Sequence, residues 1–414
     1  MSVTALACTI CGKEYKADYR LTCPDCGPAD GILDAQYDYD YAKKHLTWEA
    51  LASRPRDHWR YRELLPIKEG QRIPNLQVGF TPIYRSEPLE KHYGVAEFYL
   101  KDDGRNPTAS FKDRASSMGV AKALEFGFDT VACASTGNAA SSLAGMAANV
   151  GLRSFIFVPQ RAPQPKVTQL LVFGANVIRV HGTYDQAYDL CMQAAAHYGW
   201  YQRNCAVNSY LVEGKKTCGL EIAEQMADNV PDWVVMSVGD GCSIAGTWRG
   251  IREMHELGFI SKMPRMLGVQ AEGSPAVKLQ FQSEGEPPLG VFPADTIADS
   301  ICVGVPRNWR KAVRAVRQSH GEYITVSDEQ IMEALRITPR LSGVFAEPAA
   351  AASVAGVAVA REQGIIGPNE KVLVVITGNG LKDVKTASEA VGQPFDIEPN
   401  MEALAAVVDG GKVR

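Results

Sequence analysis

The stretch Asn106-Pro-Thr-Ala-Ser-Phe-Lys-Asp-Arg114 predicts the start of a helix with a lysine in its first turn. Its proline disfavours helix in the preceding residue, and Thr108 or Ser110 can cap a new helix. Apolar residues then recur at helical spacing until Gly127 ends the pattern. Lys112 would lie beside the positive end of the helix dipole, which lowers the pKa of an ammonium group and favours a nucleophilic amine. A solvated helix face is the alternative, and position alone favours it.

Three glycine- or hydroxyl-containing loops each follow a short apolar run: Ser135-Thr-Gly-Asn138 after Val131–Ala134, Gly239-Asp-Gly-Cys-Ser243 after Trp233–Val238, and Thr377-Gly-Asn-Gly380 after Val372–Ile376. Exposed N–H groups at a helix start can bind carboxylate or phosphate, and glycine lets the backbone approach an anion closely. The spacing is not Gly-x-Gly-x-x-Gly, and Gly214-Lys-Lys-Thr217 lacks the upstream glycine of a Walker A loop. The loops therefore predict anion sites near a reactive lysine at strand ends, where open α/β sheets bind ligands.

From about residue 95 onward, short apolar runs alternate with helical segments. Further runs of this kind are Ser154–Val158, Asn176–Val180 and Leu267–Gln270. Ala139–Asn149 is a helical segment ended by Gly151, and Ala346–Ala360 is typical of a buried helix. This alternation predicts an α/β fold with parallel sheets, arranged as two sheet domains with a site between them.

The N-terminus contains two Cys-x-x-Cys pairs, Cys8 with Cys11 and Cys23 with Cys26. Four thiolates at this spacing can bind a tetrahedral Zn²⁺, and a glycine after each pair permits the tight turn that such a site needs. A closed four-cysteine site has no open coordination position, so its expected role is structural. Redox pairs or unliganded thiols are the alternative.

Residues 28–75 are rich in Tyr, Trp and Arg and show little periodicity. We interpret them as an arm that covers another surface, such as a partner subunit. An ordinary helical extension packed on its own domain is an equally open alternative.

The composition limits the class of protein. The chain has 414 residues, 46% of them hydrophobic, and a formal charge of −4 from 43 basic and 47 acidic side chains. This balance excludes wholesale disorder and argues against a nucleic-acid-binding protein. We expect no membrane span and no secretion signal, and the scattered cysteines indicate a reducing cytoplasm.

Taken together, these motifs resemble the pyridoxal-phosphate (PLP) enzymes of fold type II, and most closely the threonine synthase family. The resemblance spans about residues 75–390. It is carried by the stretches Gly79-Phe-Thr-Pro82, Lys101-Asp-Asp-Gly104, Asn106-Pro-Thr-Ala-Ser-Phe-Lys-Asp-Arg114, Ser135-Thr-Gly-Asn-Ala-Ala140, Glu213-Gly-Lys-Lys-Thr217, Glu347-Pro-Ala-Ala350 and Thr377-Gly-Asn-Gly-Leu-Lys-Asp383.

The resemblance implies two open twisted-sheet domains with helices on both faces, preceded by a small N-terminal Cys₄ zinc ribbon. The implied division is a zinc-ribbon-like segment at 1–35, an arm at 36–75, a large PLP-binding domain at 76–127 and 205–414, and a small domain at 128–204. Homodimers are common for this fold, so a homodimer is expected by analogy.

The resemblance also implies site residues. Lys112 would form the aldimine with PLP and later shuttle protons, Asn138 would hydrogen-bond the ring hydroxyl, and Thr377 would meet the pyridine nitrogen. The substrate carboxylate would bind at Ser135, Thr136 and Gly137. The cofactor phosphate would be held by backbone N–H groups, with the aspartate carboxylate pointing away, at Gly239, Asp240, Gly241, Cys242 and Ser243.

The implied activity is that of a PLP-dependent carbon–oxygen lyase. A threonine synthase converts O-phosphohomoserine and water to threonine and phosphate. An alternative is a related enzyme with a leaving group on Cβ of a different amino acid, such as a threonine or serine dehydratase, a diaminopropionate ammonia-lyase or a cysteate-synthase-like enzyme. A zinc-ribbon binding module on a catalytically idle PLP scaffold is the non-enzymatic alternative.

Three positions depart from the family pattern. Leu211 stands where an arginine is typical, which removes a bidentate partner for the substrate phosphate. Asn379 stands where a histidine is common, and Ala109 replaces a usual glycine. Neutral drift in a true threonine synthase is one explanation. The basic residues that could compensate are Arg114, Lys166, Lys215 and Lys216.

Overall fold

The computed structural model describes residues 3–205, 207–283, 290, 292 and 294–409. Its strands are β1 (Val3–Cys8), β2 (Glu14–Tyr15), β3 (Leu33–Tyr37), β4 (Ile83–Arg85), β5 (Glu97–Asp102), β6 (Thr130–Ala134), β7 (Arg153–Pro159), β8 (Asn176–Val180), β9 (Tyr201–Gln202), β10 (Trp233–Ser237), β11 (Arg265–Ala271), β12 (Glu322–Val326) and β13 (Lys371–Ile376).

Its α-helices are α1 (Gly27–Asp30), α2 (Tyr39–His45), α3 (Trp48–Ser53), α4 (Glu87–Tyr93), α5 (Lys112–Glu125), α6 (Asn138–Val150), α7 (Gln164–Val172), α8 (Tyr184–Tyr198), α9 (Ser209–Gln225), α10 (Cys242–Glu256), α11 (Ala276–Gln282), α12 (Trp309–Gln318), α13 (Asp328–Ser342), α14 (Pro348–Glu362), α15 (Val384–Glu389) and α16 (Met401–Val408). Short 3₁₀ helices lie at His58–Leu64, Asp103–Arg105, Ala227–Asn229, Asp299–Ile301 and Gly380–Asp383. None of these described helices has the length and hydropathy of a transmembrane span.

The larger sheet has six strands in the order β12-β11-β10-β13-β5-β4, all parallel except the edge strand β4. Alternate residues of its central strands enter two different cores: Val234 and Met236 pack on the side of α9 and α10, whereas Val235 packs with α13 and α14 on the other side. Burial on both faces explains the continuous apolar runs of β10 and β13. The predicted α/β class with helices on both faces is confirmed.

The smaller sheet is fully parallel, with strand order β8-β7-β6-β9. Helix α6 covers one face, where Leu143 packs with Val131, and α8 covers the other, where Cys191 packs with Ala132. Each apolar run quoted above overlaps a strand, and that of β8 has the same bounds. The proposed domain boundaries stay a prediction.

The N-terminal segment forms a three-stranded antiparallel sheet, β2-β1-β3, followed by an arm that packs on its own chain. The hydroxyl of Tyr37 donates to Glu213 at 2.7 Å, and that of Tyr61 donates to Glu224 at 2.5 Å. Both acceptors lie on α9. The arm is therefore anchored to the helix that begins beside the smaller sheet.

A buried ion network joins α5, α9 and the end of β5. The guanidinium of Arg114 lies 2.6 Å from Asp103 and 2.5 Å from Glu221, and the ammonium of Lys101 lies 2.9 Å from Glu221. All four side chains are fully buried. Burial alone would raise the pKa of Glu221, but Arg114 and Lys101 together lower that pKa to about 2.

We predict that Glu221→Gln lowers the free energy of unfolding by about 3 kcal/mol or more, since it leaves a buried cation without its partner. Urea unfolding at pH 7 measures this change. The matched control is Asp129→Asn, which breaks the exposed Arg153–Asp129 pair, whose side chains are 61% and 79% exposed. Its expected cost is below about 1 kcal/mol. Equal losses in both variants would show that the buried network is not special.

Candidate active site

A cavity of about 670 Å³ opens between the larger sheet and the smaller sheet. Its walls include the segments that follow β6, β7 and β9 of the smaller sheet and β10 and β13 of the larger one. The predicted location at the carboxyl ends of strands is therefore the location of the cavity. It gathers Lys112, the 135–138 loop, the 239–243 loop and Thr377 on one site.

Lys112 is the first residue of α5, as the sequence predicts. The expected capping is wrong: α5 has no side-chain cap, and the hydroxyl of Thr108 donates instead to the carboxylate of Asp113. The helix start is fixed by its backbone, because the N–H of Phe111 donates to the carbonyl of Thr377 at 2.8 Å. This bond holds the lysine next to the end of β13.

The environment of Lys112 lowers its pKa to about 8. Burial is the main cause, and the positive charges of Lys215 and Arg203 act in the same direction, whereas Cys205 and Glu347 act in the opposite direction. The direction agrees with the sequence prediction, but desolvation and two cations supply it. At pH 7 about one amine in ten is then neutral and nucleophilic.

The 135–138 loop leads into α6. The N-cap of α6 is Gly137, which offers no side-chain cap, and the hydroxyl of Ser135 accepts from the N–H of Gly137 at 3.2 Å. The amide of Asn138 donates to the carboxylate of Glu347 at 2.7 Å and lies 3.5 Å from the hydroxyl of Ser300. Burial raises the pKa of Glu347, although Asn138 and Lys112 oppose that shift.

The 239–243 loop forms the N-terminus of α10. Its N-cap, Gly241, has φ of 89°, and a Cβ there would lie 2.6 Å from that of Ala312, so the turn requires glycine. Among the described residues, no side chain caps the first-turn N–H groups of α10. The carboxylate of Asp240 accepts from the N–H of Arg307 at 3.4 Å. Uncapped N–H groups at a helix start suit a phosphate.

The three departures from the family pattern lie outside the described lining of the cavity. Leu211 is fully buried in the packing of α5 on α9, where a Cβ on Gly119 would come within 2.4 Å of it. The side chain of Asn379 caps the 3₁₀ helix that follows by accepting from the N–H of Leu381 at 3.0 Å. Ala109 has φ of 63°, a conformation that explains why glycine is usual there.

Four residues that line the cavity together with Lys112 are not among the site residues predicted from the sequence. They are Glu347, Ser300, Arg203 and Cys205. Glu347 stands in a quoted motif, which was a usable signal. Arg203 follows the two-residue strand β9, and so short a strand leaves no periodic pattern to read.

The four N-terminal cysteines come together, and their sulfur atoms all lie within 4.8 Å of one another. The sulfurs of Cys11 and Cys23 are 3.8 Å apart. Tetrahedral thiolates about 2.3 Å from a zinc ion would lie about 3.8 Å from each other. The predicted turns are present, since Gly12 and Gly27 have φ of 73° and 77° and donate to the carbonyls of Cys8 and Cys23. The cluster therefore has the donor set and spacing of a metal site.

Comparison with known proteins identifies the family. Residues 75–378 match the model of the pyridoxal-phosphate dependent enzymes. The chain belongs to this family. It is 38% identical to the threonine synthase of Methanocaldococcus jannaschii over 97% of this chain and 98% of that one, and 38% identical to the threonine synthase of Methanosarcina acetivorans over 98% of each.

Solved structures share the fold of this chain. The processed form of threonine deaminase isoform 2 from Solanum lycopersicum matches with a TM-score of 0.64 at 22% identity, covering 76% of this chain and 88% of that one. The predicted fold type II architecture is confirmed. The cavity also fits PLP, because its lining includes both a lysine of lowered pKa and an uncapped helix N-terminus whose turn requires glycine. We propose that Lys112 would hold the aldehyde end of the cofactor and the 239–243 loop its phosphate end.

We predict that the apo-protein takes up PLP at a rate that rises with pH until about pH 8 and then levels off. The cofactor aldehyde reacts with the neutral amine, and the pKa of Lys112 is lowered from 10.5 to about 8. Stopped-flow absorbance of the bound cofactor measures this rate. Nα-acetyl-lysine amide, titrated in parallel, controls for protonation of PLP itself. A rate for the protein that keeps rising toward pH 10.5 would contradict the prediction.

Proposed function

We propose that this chain is a threonine synthase, a PLP-dependent carbon–oxygen lyase that converts O-phosphohomoserine and water to L-threonine and inorganic phosphate. The observation that carries this proposal is the match with threonine synthases at 38% identity over 97% and 98% of the chain. The cavity that brings Lys112 to the 135–138 and 239–243 loops supports it.

In this function each loop binds a different part of the reactants. Ser135, Thr136 and Gly137 would bind the substrate carboxylate at the N-terminus of α6. The backbone of the 239–243 loop would bind the cofactor phosphate, with the Asp240 carboxylate directed at Arg307. Asn138, whose amide donates to the carboxylate of Glu347, would hydrogen-bond the ring hydroxyl of the cofactor. Thr377 would meet the pyridine nitrogen.

Lys112 is the proton carrier. Bound PLP would withdraw electrons from the substrate and so acidify its Cα and Cβ protons. The Nζ of Lys112 would take those protons as phosphate leaves Cγ with the C–O electron pair. It would return them to Cγ and Cα when the oxygen of water adds to Cβ, and the remaining proton of that water ends on the phosphate. A lowered pKa suits this exchange, because the amine changes its protonation state near neutral pH.

We predict that the PLP-loaded protein releases phosphate and L-threonine in equal amounts from O-phosphohomoserine. Lys112→Ala should lose the visible absorbance of the bound cofactor and at least about 10³-fold in threonine formation. Lys122→Ala is the matched control on the same helix, since that lysine pairs with Glu125 and does not line the cavity. Chromatography of the products would contradict the proposal if it found no threonine but a keto acid formed from serine.

We also propose that Cys8, Cys11, Cys23 and Cys26 hold a structural zinc ion. Supporting this, the 3.8 Å sulfur separation matches tetrahedral coordination. We predict that the purified protein contains close to one zinc per chain and that Cys8→Ser/Cys11→Ser lowers this by an order of magnitude. Cys302→Ser, outside the cluster, is the control for elemental analysis. Unchanged zinc in the double variant would reject the site.

We further propose that the enzyme acts in the cytoplasm as a homodimer. None of the ten cysteines, all of which the structure describes, forms a disulfide bond, as expected in a reducing compartment. Apolar side chains at the C-terminal end, including Phe395, Ile397 and Met401, are more than 45% exposed, which is typical of a surface that another subunit covers.

A further inference from the structure

The substrate of the proposed function carries a phosphate, yet the residue expected to bind it is absent. Position 211 is a leucine packed between two helices, so the contact has to come from elsewhere. Three of the four candidate cations are already neutralised by carboxylates: Arg114 by Asp103 and Glu221, Lys216 by Glu213 and Glu253, and Lys166 by Asp299. These pairs leave one of the four.

Lys215 is the remaining candidate. Its side chain is 3% exposed, it lines the cavity, and it forms no ion pair with a carboxylate in the part of the chain that the structure describes. It lies on α9 against α10, since a Cβ added to Gly246 of α10 would lie 3.1 Å from the Cβ of Lys215. A buried ammonium without a counter-ion is costly, so its place on a cavity wall indicates an anion that is supplied from outside.

Arg203 is a second cation of the same kind. It is 4% exposed and lines the cavity, and no carboxylate of the described residues pairs with it. Its Nε and Nη2 donate to the hydroxyl of Ser116 at 3.2 and 3.1 Å, and its Nη1 contacts the sulfur of Cys205 at 3.4 Å. The hydroxyl of Ser116 is neutral, and burial opposes charge on the Cys205 thiol, although Arg203, Lys215 and Lys112 together lower the pKa of that thiol. No carboxylate of the described residues compensates the charge of the guanidinium.

These two cations line the same cavity as Lys112. Burial is the main cause of the lowered pKa of Lys112, and the charges of Lys215 and Arg203 lower that pKa further. The other described basic residues of the lining, Arg161 and Arg307, are exposed, and water screens them. In the proposed function the 239–243 loop binds the cofactor phosphate, so Arg203 and Lys215 are available to a second dianion.

We propose that Arg203 and Lys215 bind the phosphate of the substrate and thereby select a phosphorylated amino acid. This inference rests on the proposed function, which requires such a substrate. The planar guanidinium can contact two phosphate oxygens at once, and the ammonium adds a point charge. Together they take the role of the arginine that position 211 lacks.

The test compares two amino-acid ligands of the PLP-loaded enzyme, of which only O-phosphohomoserine carries a phosphate. Binding of O-phosphohomoserine and of L-threonine is followed by the change in cofactor absorbance. Arg203→Gln and Lys215→Gln should each weaken O-phosphohomoserine binding and raise its KM by about tenfold or more, because a hydrogen bond to a charged group is lost. L-Threonine binding should stay within about twofold of wild type. Arg203→Lys keeps the charge and should lose less than Arg203→Gln.

Lys166→Gln is the matched control, since it removes a cation near the cavity that already pairs with Asp299. Its affinity for both ligands should match that of wild type. Unchanged O-phosphohomoserine binding in both test variants would overturn the inference. An equal loss for both ligands, or a loss of PLP itself, would also overturn it, because it would assign the two residues to the cofactor or the fold.

Failure of the proposed function has a different signature. It appears in the wild-type enzyme, as binding of O-phosphohomoserine without threonine formation. The affinity for O-phosphohomoserine divided by the affinity for L-threonine still measures phosphate recognition in that case. A decrease of this ratio in both Arg203→Gln and Lys215→Gln supports the inference by itself.

Discussion

The site depends on a buried ion network two residues beyond the reactive lysine. Arg114 holds Asp103 at the end of β5 and Glu221 on α9, and all of these side chains are excluded from water. Such charges tolerate little movement, because any separation leaves one of them unpaired in a medium of low polarity. The start of α5 is thereby fixed against both a strand and a helix. Its first residue, Lys112, therefore lies beside the end of β13.

The charges on the cavity wall link cofactor chemistry to substrate choice. Burial, together with Lys215 and Arg203, lowers the pKa of Lys112, which keeps part of its amine neutral. The same two cations would attract a phosphate dianion. Once bound, that dianion would offset their field and raise the pKa of Lys112, which makes the amine a stronger base while the substrate is present. Loss of phosphate would reverse the effect, at the stage when the protons have to be returned.

Much of this could be predicted from sequence, and the exceptions have physical reasons. Strands buried on both faces, such as β10 and β13, are continuous apolar runs and were readable as such. Strand β5 was missed because it ends in Lys101 and Asp102, which the fold buries. Lys215 and Lys216 are adjacent and chemically alike, yet one lines the cavity and the other pairs with two carboxylates. Which face of α9 each occupies depends on how α9 packs, and no local pattern records it.

The most direct test of the account is to locate the lysine that carries the cofactor. Borohydride reduction of the PLP-loaded protein attaches the cofactor permanently to that side chain, and peptide mass spectrometry then identifies the residue. We predict a single labelled lysine, Lys112, in the peptide that begins α5. Label on Lys215, or on any lysine outside the cavity, would contradict it.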